Sequence, residues 1–186
     1  MEVHMPMIDP FIKTSSFTRR PWTKADASSL VRHADNPKIA ARLRDAFPNP
    51  YTRADAERFI AMAAGGDTEI VFLAIEIDGE AAGGIGAHRL EGEKRCSAEL
   101  GYWLAEPYWD RGIATDAVRG FVPVAFSRLG IIRLHAGIFS NNPASMRVLE
   151  KCGFVREDVH RSAIVKGGEV LDEVVYAMVK VGRDWE

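Results

Sequence analysis

Two cysteines in 186 residues, Cys96 and Cys152, lie far apart and in no metal-like spacing. They make no disulfide framework, so a reducing, cytoplasmic setting is the expectation. No apolar run approaches the ~20 residues that a membrane-spanning helix needs, so no membrane partner is expected. The first ten residues, Met1 to Pro10, lack a basic head followed by an apolar stretch, which argues against a secretory signal. The formal net charge is only −2. There is no cationic field to hold nucleic acid, and nothing favours acidic substrates or a membrane surface. His88, His135 and His160 fall in separate segments without ligand spacing, so no metal site is expected. No internal repeat, low-complexity tract or linker interrupts the chain.

What is present is an ordinary globular composition, 47 % hydrophobic and 27 % charged. It fits one domain over 1–186, with a loose segment up to about Lys13. Phe17 to Pro21 reads as a strand, and Thr23 with Asp26 opens a helix. Asn36-Pro37 starts a second helix expected to run to about Arg44. Two prolines keep Phe47 to Tyr51 out of helix. Thr52 with Asp55 then opens a helix that ends near Gly65-Gly66. Ile70 to Ile77, Ala81 to Leu90 and Ser97 to Leu104 read as an antiparallel meander, with Asp78-Gly79 as its first turn. Ala114, Ala117, Val118, Phe121, Val122, Ala125, Phe126 and Leu129 form a helical stripe that Gly130 closes. Pro123 inside it predicts a kink. Ile131 to Phe139 follows as a buried strand parallel to the one before the helix. A helix from Asn142-Pro143 to Gly153 and strands at Phe154 to Val165 and Leu171 to Val181 complete an α+β chain with a mixed, mostly antiparallel sheet and helices on both faces.

The segment Tyr108-Trp109-Asp110-Arg111-Gly112-Ile113-Ala114-Thr115 joins a strand to a helix. Gly112 permits a tight turn and close ligand approach. The amides of Arg111 through Thr115 are free donors at a helix N-terminus, which favours a pyrophosphate. The side chains of Arg111 and Thr115 can add contacts. A glycine before a helix is also ordinary turn chemistry. The segment is neither a Walker loop nor a dinucleotide fingerprint.

Three segments in order carry more. They are Glu99-Leu100-Gly101-Tyr102-Trp103-Leu104, then Ser140-Asn141-Asn142-Pro143-Ala144-Ser145, then Arg147 to Phe154. Together they resemble the GNAT superfamily of acyl-CoA-dependent N-acetyltransferases. The branch they look like contains the ribosomal-protein alanine and serine N-terminal acetyltransferases. Arg19-Arg20-Pro21-Trp22-Thr23 and Leu43 to Pro48 are similar to that branch as well. The resemblance implies strands that splay at Trp103 and Ile138. The pantetheine arm of acetyl-CoA would lie in that opening beside Trp103 and Leu104. Its pyrophosphate would rest on Trp109, Asp110, Arg111, Gly112, Ile113, Ala114 and Thr115, and the acetyl group would point at an amine near Glu99. Two positions depart from the pattern. Asp110 stands where most relatives in this branch have glycine, and Leu149 stands where the wider superfamily often has a tyrosine acting as general acid.

Acetyl transfer to an amine needs a neutral amine, a polarised carbonyl and a stabilised leaving thiolate. Glu99 is the candidate base; a salt-bridged glutamate is the alternative. Ser145 is the candidate acid or thiolate stabiliser, or else a hydroxyl bonded to its own helix. Asn142 caps a helix and could also hold pantetheine. Lys151 could reach the phosphates or lie free in solvent. Phe47, Tyr51 and Tyr102 are candidates for the acceptor side, with core packing as the alternative. Cys152 reads as a small buried hydrophobe, not an acetyl carrier. The expectation is direct transfer in a ternary complex, to a protein N-terminus or a small-molecule amine. An inactive acyl-CoA-binding or sensing module is the alternative. An exposed edge at the last strands is compatible with a homodimer.

Overall fold

A computed structural model of the chain describes residues 9–180. Residues 1–8, in the segment expected to be loose, and Val181, the expected end of the last strand, lie outside the described residues. One eight-stranded sheet runs in the order β1-β2-β3-β4-β5-β6-β8-β7. The strands are β1 (Ile12–Lys13), β2 (Thr18–Pro21), β3 (Ile70–Ile77), β4 (Glu80–Arg89), β5 (Ser97–Leu104), β6 (Arg133–Phe139), β7 (Val155–Lys166) and β8 (Glu169–Val179). Every neighbouring pair is antiparallel except β5 with β6. The segment up to Lys13 is therefore not wholly loose, since Ile12 and Lys13 pair with Arg19 and Thr18.

Among the described residues five helices flank the sheet: α1 (Ala27–Ala34), α2 (Pro37–Ala40), α3 (Arg53–Ala63), α4 (Ile113–Leu129) and α5 (Pro143–Lys151). Their starts follow side-chain chemistry. Thr52 and Asp55 each accept the other's backbone N–H at the head of α3. The Asn142 side chain accepts the Ser145 N–H at the head of α5. Thr23 and Asp26 form a similar box, but around a short 3₁₀ turn that leads into α1. α2 is much shorter than expected. Its end tightens into turn bonds from Arg42 N–H to Ile39 and from Leu43 N–H to Ala40, and residues 41–50 continue as a loop. Pro48 and Pro50 lie ahead and cannot continue a helix. Helix α4 runs through Pro123 as one element, because its buried face holds it. Val118, Phe121 and Val124 are fully buried, and burial stabilises each such side chain by about 1.5–3 kcal/mol.

The helices divide between the two faces. α4 and α5 cover a core of Ile85, Leu100, Leu134 and Phe121. α1 and α3 cover a second core of Trp22, Leu30, Tyr51 and Ile60. Alternation along β5 sends Ala98, Leu100 and Leu104 to the first face. Glu99, Gly101 and Trp103 go to the other.

Candidate active site

The parallel pairing of β5 with β6 covers only Ser97↔Arg133, Ala98↔Leu134 and Glu99↔His135. Beyond Glu99, β5 stays with β4 as far as Leu104, and β6 stays with β8 as far as Phe139. The two strands therefore part at Glu99, and their facing backbone edges from Leu100 and Ala136 onward have no strand partner between them. A ligand can satisfy such edges as another strand would.

The opening leads to two cavities of about 530 Å³ each. The first lies on the α4 and α5 side. It is lined by residues 108–115, Leu104, Asn142, Ser145 and Lys151, together with Lys38 and Arg42. Gly112 is left-handed, at φ 79°, and turns the chain into α4. Nothing stands within 4 Å of where its Cβ would be, so the backbone there is open to a ligand. Asp110 is also left-handed, at φ 60°, and exposed. The Trp109 indole donates to the Leu104 carbonyl at 2.7 Å, with the Arg42 guanidinium over its ring at 5.4 Å. Arg111 lies over the Tyr108 ring at 5.5 Å. Trp109 therefore braces the loop against the end of β5. Cations on the rim and bare amides at the helix start form a site for an anion.

The second cavity lies on the α1 and α3 side and contains Glu99, Gly101 and Trp103 together with Phe47, Tyr51, Phe59 and Phe72. Tyr102, Trp103, Asn142 and Ser145 line both cavities, so the two spaces meet where the strands part. Phe47 packs against Tyr51 and Trp103, with ring centroids 5.0 and 5.7 Å apart. Tyr51 is buried, and burial pushes its phenol up to about 12, helped by Asp55. It is both a core residue and part of the cavity wall.

Glu99 sits at the vertex. Its Oε1 accepts from Arg44 at 2.6 Å, and its Oε2 lies 3.6 Å from His88 Nε2. The structure thus places it in an ion pair while 22 % of its side chain stays exposed. Ser145 faces the gap from the first turn of α5. Its hydroxyl is 2.6 Å from that of Tyr102, and with the one phenolic hydrogen given to the Ser145 carbonyl at 3.1 Å, the Ser145 hydroxyl is the donor of the shorter bond. Burial pushes the Tyr102 phenol well up, and the Ser145 hydrogen bond offsets part of this. Leu149 is fully buried in the first core and offers no group to the site. The Cys152 thiol donates to the Thr115 carbonyl at 3.3 Å. Its pKa is raised by burial, which suits an inert thiol. His135, beside Glu99 in the ladder, has its pKa lowered by burial.

Sequence reasoning missed Arg42, Arg44, His88 and Glu173 as parts of this site. Arg44 also bonds Glu173 at 3.1 Å, although 129 positions separate the two. Glu173 stands next to a second acid, Asp172, in the otherwise apolar run Leu171 to Val179, so nothing in the sequence singles it out.

A family model described as "Acetyltransferase (GNAT) domain" matches residues 17–155. The uncharacterized N-acetyltransferase YoaA of Bacillus subtilis is 39 % identical over 54 % of this chain, and the match spans 56 % of that relative's own length. The "Putative ribosomal N-acetyltransferase YdaF" of the same organism is 30 % identical over 82 % of this chain and 76 % of its own. Among solved structures, the microcin C7 self immunity acetyltransferase MccE, in complex with acetyl-CoA and AMP, superposes with a TM-score of 0.78. It is 21 % identical, over 93 % of this chain and 98 % of that one, so that likeness concerns the fold.

Proposed function

The chain belongs to the GNAT acetyltransferase family, and from that premise we propose that it moves an acetyl group from acetyl-CoA to a primary amine by direct transfer in a ternary complex. The observation that carries this reading is the parting of β5 and β6 immediately beyond Glu99. One cavity there offers a helix N-terminus and cations, and the other offers a carboxylate.

Residues of the first cavity fit the donor. The amides of Gly112 through Thr115 and the side chains of Arg111, Arg42 and Lys151 suit phosphates, while Asp110 opposes them in charge. The free edge of β5 at Trp103 and Leu104, with Asn142 opposite, suits the amide-bearing pantetheine arm. Acetyl-CoA supplies the activated acyl group as a thioester. Glu99, at the vertex, takes the proton that the amine nitrogen releases as its C–N bond forms, directly or through water. As the C–S bond breaks, the Ser145 hydroxyl donates to the departing sulfur. For this, Tyr102 turns its one hydrogen from the Ser145 carbonyl to Ser145 Oγ, which leaves the serine's own hydrogen free for that sulfur. This reading needs no acid at Leu149. Holding both partners in adjoining cavities supplies much of the rate.

The name of one relative, a putative ribosomal N-acetyltransferase, brings a ribosomal-protein amine forward as one acceptor class; a small-molecule amine is the other. Thiol release from acetyl-CoA, measured with peptides bearing free N-terminal Ser or Ala and with small amines, tests the activity. Glu99→Gln should lower kcat at least 10-fold with CoA affinity unchanged. No release with any acceptor would overturn the transferase reading in favour of a binding module. Equal rates in the variant would remove Glu99 as base.

A further inference from the structure

The second cavity carries information about what enters it. Its walls are aromatic and apolar: Phe47, Tyr51, Phe59, Met62, Phe72 and Trp103. Its floor is bare at Gly101, where an added Cβ would meet nothing within 4 Å. A glycine in the middle of a central strand weakens that strand, and it often marks a close approach by a ligand. At one end stands the Glu99 carboxylate, and the Glu173 carboxylate lies against Gly137 of the cavity wall; 22 % and 14 % of their side chains are exposed. Glu173 reaches this place because residue 137 is glycine; a Cβ there would lie 2.3 Å from its Oε1.

One cation lies between the two acids. Arg44 Nη2 is 2.6 Å from Glu99 and 3.1 Å from Glu173. His88 and His160 turn ring nitrogens to the outer oxygens, at 3.6 and 3.1 Å. Arg44 comes from the loop of residues 41–50 and keeps 53 % of its side chain exposed. The tether of a half-exposed arginine costs little to break, since ion pairs of that exposure contribute about 0–1 kcal/mol. Two acids sharing one guanidinium form a cation-binding position, and the neighbouring space is shaped for apolar bulk.

We propose that the acceptor is a primary ammonium attached to an aromatic or bulky aliphatic body, that this ammonium takes the place of Arg44 between Glu99 and Glu173, and that the body lies over Gly101 against the Phe47 and Phe72 walls. The inference rests on the transferase reading only for the word acceptor. Glu173 is then a specificity-determining residue, and Arg44 is a resident stand-in that leaves when substrate arrives. Once the ammonium is seated between the two acids, one of its protons passes through Glu99 to bulk water, which leaves a neutral amine and an ionised Glu99 ready for the proton released as the C–N bond forms.

The test is direct binding to the full chain with CoA present, by calorimetry. The probes are 2-phenylethylamine, ethylamine and 2-phenylethanol. 2-Phenylethylamine should bind at least tenfold more tightly than either of the others, because only it carries both cation and ring. Arg44→Gln should tighten it several-fold by removing the competitor. Glu173→Gln should weaken it about tenfold, and Gly101→Val should erase the preference for the ring. CoA affinity should stay the same in all three variants, which shows that the fold is intact. Equal binding of ethylamine and 2-phenylethylamine, or weaker binding in Arg44→Gln, would overturn the proposal. Thiol release from acetyl-CoA is measured separately. Its absence alongside the expected binding pattern sinks the transferase reading and leaves this site standing, whereas turnover without the pattern does the reverse.

Discussion

The hydroxyls of Tyr102 and Ser145 lie 2.6 Å apart across the gap where β5 and β6 separate. Tyr102 belongs to β5 and Ser145 to the helix after β6, so this hydrogen bond spans the opening. Burial holds the phenol protonated far above its ordinary range, which makes Tyr102 a steady donor at any ordinary assay pH. Tyr102→Phe should lower kcat about 5- to 15-fold, the worth of one hydrogen bond of about 1–1.5 kcal/mol, with little change in KM for the amine. Ser145→Ala should lower it further. The double variant should match Ser145→Ala alone if the tyrosine acts only through the serine. Additive losses, measured as kcat at saturating acetyl-CoA, would give Tyr102 a separate role. No alkaline limb from Tyr102 should appear in the pH profile below about pH 10.

A second network, away from the cavities, should set acid stability. The buried Asp26 accepts from both terminal nitrogens of Arg20 at 2.8 Å, and from the Thr23 N–H at 2.8 Å. Arg20 is also paired with Glu76. Burial alone would raise the Asp26 pKa, but the Arg20 and Thr23 hydrogen bonds outweigh it, and the net shift is downward. A carboxylate whose folded pKa lies below its unfolded value near ~3.9 stabilises the fold fully above that value. That contribution is lost as pH falls through the folded pKa. Asp26→Asn should therefore cost about 1.5–3 kcal/mol near neutral pH. The gap from wild type should close below about pH 4. Denaturant melts at pH 7 and pH 3 check this; an equal gap at both would show that charge is not the source.

Much of this architecture was legible because its signals are local. The Ile70 to Ile77 and Ser97 to Leu104 strands appear with the expected bounds, and α4 and α5 follow their stripe and their Asn-Pro start. The loop of residues 108–115 could be recognised because its backbone chemistry lies in eight consecutive positions. The short α2 could not, since its stop depends on turn bonds and on aromatic packing of Phe47 against Trp103. The Glu99 side of the opening was the least visible part. Arg44, Glu99 and Glu173 come from a loop and two non-adjacent strands. No period or spacing links them, and only the splay of the sheet brings them together. Tyr102 reads for the acceptor side alone, because sequence does not say how far a phenol reaches across a gap; it lines both cavities and also bonds Ser145.

Asp110 is the residue that most clearly sets the proposed donor site apart. Its φ of 60° is a conformation that glycine adopts freely and that aspartate, though among the better tolerated residues, adopts at some cost. It lies two positions before Gly112, the left-handed start of α4, and on the lining of the same cavity as Arg111 and Lys151. An anion bound at those amides therefore meets a fixed negative charge nearby. Asp110→Gly should relieve the backbone and remove the charge together, while adding freedom to the unfolded chain. Stability should then move by less than about 1 kcal/mol, whereas CoA should bind about 2- to 5-fold more tightly at low salt, the size of a single exposed charge near a helix terminus. Asp110→Asn separates the two effects, since it keeps the backbone preference and loses only the charge. Both gains should shrink as salt is raised to 0.5 M, where screening shortens the reach of the carboxylate to a few ångströms. Calorimetric CoA titrations of the three proteins at two salt concentrations decide it. Unchanged affinity in both variants at low salt would mean that the carboxylate points away from the phosphates.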